Sequence, residues 1–176
     1  MRGRFDIESV AAAFTEAAYD PSKWSAAMDR VAQATDSQGA TLLPVRGKLP
    51  DIPFSLSIGE SVETYIKDKW VERDERYLCV PALARRGVAT EFDFTSADAM
   101  ARHPYYQDFL AKFGLRWFAG VKVASGDDFW CCSIQRTIQQ EHFLRKNSSS
   151  WQLSRTSFRA LPPWLEHSDL RGSKQL

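Results

Sequence analysis

The most constraining stretch is LRWFAGVKV-ASGDD-FWCCSIQR, residues 115–136. Period-two alternation puts Leu115, Trp117, Ala119, Val121 and Val123 on one face of a strand. Arg116, Phe118, Gly120 and Lys122 take the other. ASGDD supplies turn residues, and FWCCSIQR reads as the returning strand. An antiparallel hairpin therefore lies late in the chain.

The earlier residues follow a helical period. Asp6 can cap a helix that buries Ile7, Val10, Ala11, Phe14 and Ala18 on one face. Asp20-Pro21 restarts a second helix with Trp24, Ala27, Met28 and Val31 as its stripe. Residues 40–45 read as a strand, and 53–59 as its neighbour across a Pro- and Gly-rich link. Ser61 can cap a third helix that gathers Val62, Tyr65, Ile66 and Trp70. ERYLCVPALARRG is a short element punctuated by Pro81 and stopped at Gly87. VATEFDF is extended, and Thr95 with Asp98 has the capping-box pattern. His103-Pro104 opens a helix with Tyr106, Phe109, Leu110 and Phe113 on one side and Gly114 at its C-cap. Helices first, a long excursion and a late hairpin predict an α+β domain: a single antiparallel sheet with helices packed on one face.

The net charge of +1 hides an asymmetry. Residues 1–142 carry 17 Lys+Arg against 20 Asp+Glu, a net of −3; residues 143–176 carry 6 against 2, a net of +4. The body of the chain has no field suited to nucleic acid. The odd cysteine count (Cys79, Cys131, Cys132) gives no disulfide framework, and a reducing cytoplasm is the expectation. No apolar run suits a signal peptide or a membrane span. His103, His142 and His167 have no metal-ligand spacing, and each reads as a surface histidine. Cys131-Cys132 reads as strand packing and Asp127-Asp128 as an exposed hairpin tip. No nucleophile motif or phosphate loop occurs, so no enzyme, metal or cofactor is expected.

Two long stretches, YDPSKWSAAMDRVAQATDSQGATLL and HPYYQDFLAKFGLRWFAGVKVASGDDFWCCSIQRT, resemble the N-terminal sensory domain of LuxR-type transcriptional regulators. EHF at Glu141–Phe143 resembles the link before that domain's last long helix. The resemblance implies a PAS/GAF-like or autoinducer-binding-like domain over 1–143, which senses a small molecule and is often dimeric. It also implies a C-terminal helix-turn-helix. The 33 residues after Phe143, with Pro162-Pro163 among them, leave no room for one, so this chain alone is expected not to bind duplex DNA specifically. The basic, irregular segment 144–176 fits either an out-of-frame reading of a GC-rich gene or a natural disordered extension. The expected partners are an unidentified small molecule and a second protomer, either a copy of this chain or a full-length regulator. A competing reading is a stand-alone interaction module that dimerises with such a regulator.

Autoinducer-binding members of the wider family carry a Tyr on a helix and an Asp nine residues later, which accepts a hydrogen bond from the ligand. The resemblance places these at Tyr65 and Asp74, with Trp70 nearby and Phe92 or Trp117 as an aromatic wall. The family's further Trp falls at Ser61 and is missing. The residues alone leave open that Tyr65 and Trp70 are ordinary core and that Asp74 caps the next turn. A pocket, if present, is expected between the sheet and the helices carrying Tyr65 and Trp70, facing Trp117, Ala119 and Val121.

Overall fold

A computed structural model describes residues 6–45, 52–125 and 128–143. The segment 144–176, with both readings of its origin, lies outside the described residues, as does Asp127 of the hairpin tip.

Two helices open the chain. In α1 (Ile7–Tyr19) the Asp6 carboxylate accepts from the Ser9 N–H at 3.1 Å, and Val10, Phe14, Ala17 and Ala18 are buried. Asp20 caps the turn Pro21–Lys23, from which α2 (Trp24–Ala34) continues, burying Ala27, Met28, Val31 and Ala32. At its end the Thr35 hydroxyl donates to the Val31 carbonyl at 2.8 Å, and Asp36 turns the chain with a left-handed φ of 48°.

The sheet has four antiparallel strands: β1 (Gly39–Pro44), β2 (Val88–Thr90), β3 (Leu115–Ser125) and β4 (Asp128–Thr137), in the order β1-β4-β3-β2. The α+β class and the single antiparallel sheet follow the sequence expectation. The placing of all helices on one face does not. Ala40, Leu42, Ala119, Val121, Cys132 and Ile134 pack against Phe14, Met28 and Val31 of α1 and α2. The alternate residues Ala89, Phe118 and Cys131 pack on the opposite face against Cys79, Ala82 and Leu83. Both faces of this sheet carry apolar side chains, so both need a helical cover.

That second cover is built from short pieces. They are α3 (Gly59–Lys67), 3₁₀ turns at Trp70–Arg73 and Glu75–Cys79, α4 (Val80–Arg86), α5 (Ala97–Met100), and a π turn at Tyr105–Phe109 running into a 3₁₀ turn at Leu110–Phe113. Gly114, at φ 66°, ends the last of these as expected. Trp70 is not on α3: Lys69, at φ 54°, breaks the helix before it.

Several local expectations change. The stretch 53–59 forms only an isolated bridge, Thr41 to Phe54, before turning helical at Leu56. Pro53 has no N–H to donate to a ladder. Ser61 lies inside α3, its hydroxyl donating to the Ile58 carbonyl at 2.7 Å. Pro81 sits in the first turn of α4, where its missing N–H is harmless. Ser96, not Thr95, caps α5, and the capping box forms at Thr90 and Asp93. The β3 alternation is broken by a bulge between Leu115 and Trp117, which swings Leu115 to the face opposite Ala119 and Val121. Among the described residues no helix is long and apolar enough to cross a membrane.

Candidate functional site

A cavity of about 70 Å³, counted as space for the centres of water-sized molecules, lies between the sheet and the cover of α3, α4 and the π turn. A single water needs about 10–15 Å³ on that measure, so there is room for a small organic group. Tyr65 and Val62 of α3, Leu83 of α4, and Tyr105 and Phe109 form one side. Leu43 of β1, Phe118 of β3, and Cys131, Ser133 and Gln135 of β4 form the other. Ala119 and Val121, expected at this wall, face α1 and α2 instead.

A polar cluster lies at the wall. The Tyr65 hydroxyl donates to Asp74 Oδ2 at 2.9 Å, and the Arg76 N–H donates to Asp74 Oδ1 at 2.8 Å. Asp74 thus caps the turn Glu75–Cys79 and lines the cavity as well. Burial raises its pKa above the ordinary carboxylate value, while Arg76 and the Tyr65 and Tyr105 hydroxyls pull it back. The Arg76 side chain is 5% exposed. It donates to Gln135 Oε1 at 2.6 Å, to Glu91 Oε1 at 3.2 Å and to the Arg116 carbonyl at 3.1 Å. Glu91 is equally buried, and its second oxygen accepts the Phe118 N–H at 2.8 Å. Burial pushes Glu91 up to about 7, against the pull of Arg76. Gln135 in turn donates to the Ser133 hydroxyl at 3.1 Å.

Of the five residues singled out in the sequence, Tyr65 and Asp74 line the cavity and bond to each other. Trp70 is buried behind the wall, stacked on Phe109 at 5.1 Å, with the Arg73 guanidinium over its ring at 3.9 Å. Phe92 and Trp117 meet at 6.0 Å and share His142 as a neighbour, outside the cavity lining. His103 sits near Glu75 and accepts the Tyr105 N–H; His167 lies outside the described residues. All three cysteines are buried and unpaired, with burial pushing the Cys79 and Cys132 thiols up to about 12 and Cys131 upward too, so none is a ready nucleophile. Among the described residues no group of side chains could hold a metal ion.

No family model and no curated protein matches the sequence. Solved structures do match in shape. The LBD domain of VqsR from Pseudomonas aeruginosa superposes with a TM-score of 0.59 at 17% identity, covering 86% of this chain and 93% of that one. CepR2 from Burkholderia cenocepacia, an N-acylhomoserine-lactone-dependent LuxR-family transcription factor, gives 0.54 at 14% identity, over 93% and 98%. SdiA from Escherichia coli gives 0.58 at 15% identity, over 97% and 73%. The fold is that of LuxR-type ligand-binding domains. Within this LuxR-type fold the cavity-wall residues Arg76, Gln135 and Ser133, and Glu91 behind them, escaped the sequence reading. One signal was available. Cys131, Ser133 and Gln135 alternate along β4, and a strand face that turns polar toward a covered layer marks either a network or a cavity.

Proposed function

We propose that the chain is the small-molecule-sensing domain of a LuxR-type regulator and that its ligand occupies the cavity between the sheet and α3–α4. The observation that carries this reading is the cavity itself. Its walls are aromatic and aliphatic, and a few hydrogen-bonding groups converge at one side, the usual make-up of a small-ligand site. In this reading Tyr65 and Asp74 touch the ligand. Trp70 acts from behind by fixing Phe109, and Phe92 with Trp117 forms a separate aromatic group outside the cavity lining. The polar groups are tied to one another, which supports binding over catalysis. The interaction-module reading called for an exposed apolar face, and a cavity lined by aromatic and aliphatic side chains favours the sensor instead.

Thermal melts against a panel of lactones, small aromatic amides and ketones test the proposal. A ligand that binds only the folded form raises the melting temperature with concentration. The expected result is a saturable upward shift for at least one compact member, lost when bulky side chains fill the cavity, as in Ser133→Phe. No shift across the panel for a folded protein overturns it.

A further inference from the structure

We propose that Arg76 is a specificity-determining residue of the cavity, donating a hydrogen bond to an uncharged acceptor, a carbonyl oxygen, on a compact ligand. This rests on the reading of the cavity as a ligand site.

Arg76 lines the cavity and is almost wholly buried. A guanidinium has five N–H donors and no acceptor. One terminal nitrogen bonds Gln135, and the other bonds Glu91 and the Arg116 carbonyl. The Nε is buried with no partner. The Nη1 nitrogen bonds Gln135 alone and has a second N–H to give, and Arg76 lines the cavity, so an acceptor arriving there finds a donor. The guanidinium is also held in place. Gln135 and Glu91 fix its far end, and the Phe118 and Tyr105 rings lie 5.0 and 5.6 Å from it. A donor immobilised before binding loses little freedom when the ligand arrives.

The charges select the acceptor. Glu91 and Asp74 already flank the Arg76 guanidinium, and burial raises the pKa of both carboxyls in spite of it. A ligand carboxylate would bring a further acid to the same guanidinium, beside two carboxyls whose charged forms burial already disfavours. A ketone, ester or amide oxygen takes the bond without that penalty. The space for the centres of water-sized molecules, about 70 Å³, suits a compact ligand.

The test uses acetophenone, ethylbenzene and benzoate, which share a ring and differ in the acceptor. Binding to the full chain is followed by ligand-observed NMR at a pH where benzoate is ionised. The variants are Arg76→Met/Glu91→Gln, which removes both charges of the pair, and Arg76→Lys, which keeps the cation and discards the fork. Acetophenone is expected to bind wild type at least about tenfold more tightly than benzoate. The acetophenone-to-ethylbenzene affinity ratio is expected to fall by about tenfold in both variants, with ethylbenzene binding retained. An unchanged ratio in a folded variant removes Arg76 from ligand recognition. Benzoate binding tighter than acetophenone overturns the uncharged class, and this comparison needs only wild type, so it stands even where a variant fails to fold. If ethylbenzene and acetophenone both fail to bind wild type at millimolar concentration, the cavity reading falls and this inference with it.

Discussion

The Tyr65 hydroxyl reaches Asp74 Oδ2 at 2.9 Å across nine residues of chain. The left-handed Lys69 and the turn Trp70–Arg73 fold Asp74 back onto α3. Two substitutions separate the hydroxyl from the ring. Tyr65→Phe keeps the ring against Phe109 and leaves Asp74 short of a donor, which should cost about 1–3 kcal/mol. Tyr65→Ala also empties a buried site, and about 3–5 kcal/mol is expected, by analogy with buried Phe→Ala. Urea unfolding of both variants measures the difference. Equal midpoints for wild type and Tyr65→Phe would show that the hydroxyl bond contributes nothing.

Arg76 and Glu91 should behave as a unit. Arg76→Met alone strands the Glu91 carboxylate in the interior, and a loss of about 3–5 kcal/mol is expected. Arg76→Met/Glu91→Gln leaves no buried charge behind and should recover a large part of that loss. Additive costs in the double-mutant cycle would show the two side chains to be energetically independent.

Stability should fall as pH rises toward neutrality. Burial lifts Glu91 from 4.5 unfolded to about 7 folded. Between those values the folded chain holds a proton that the unfolded chain has lost, so the folded state is favoured at the acid end of the window. That advantage is gone above about 7. Asp74 is also raised by burial and adds a slope of the same sign. Denaturation midpoints of wild type and Glu91→Gln across this window should diverge, with the variant flatter. Identical slopes would mean that Glu91 stays ionised throughout.

Damage on the far face of the sheet should spare the cavity. Phe14 is 1% exposed, edge-on to Trp24 at 5.5 Å, among side chains of α1, α2 and the sheet. Phe14→Ala should cost about 3–5 kcal/mol. The melting shift produced by a cavity ligand should persist in the variant at a temperature where it is folded. Loss of that shift would mean that the two layers are coupled through the sheet.

The elements that were legible in the sequence owe their form to local chemistry. Asp6 caps α1, the Val121–Val123 alternation sets a strand, and Gly114 ends a helical stretch. What escaped depends on contacts far apart in the chain. The side of the sheet that holds the cavity is decided by which alternate set meets α1 and α2, and both sets are apolar enough to be buried. The bulge at Leu115 shifts the strand's period by one residue with no proline or turn signal to announce it. Tyr65 and Asp74 lie on one short excursion, and their spacing resembled a known pattern. Arg76, Glu91 and Gln135 are scattered over 59 residues, and nothing local in any of them foretells the meeting.

Gly120 offers a way to fill the cavity from the sheet side. A Cβ placed on it would lie 2.7 Å from Cζ of Phe118 and 3.1 Å from Sγ of Cys131, both cavity-wall residues. Contact that close must displace something. The Phe118 ring has the Arg76 guanidinium at 5.0 Å and the Phe94 ring at 6.4 Å, so it has little free space except the cavity. Gly120→Ala should therefore cost about 1–3 kcal/mol through overpacking. It should also shrink the melting shift given by acetophenone relative to wild type. Phe118→Leu in the same chain makes room for the methyl group and should restore part of both. An acetophenone shift in Gly120→Ala equal to that of wild type would show that Phe118 moves away from the cavity, or that acetophenone binds elsewhere.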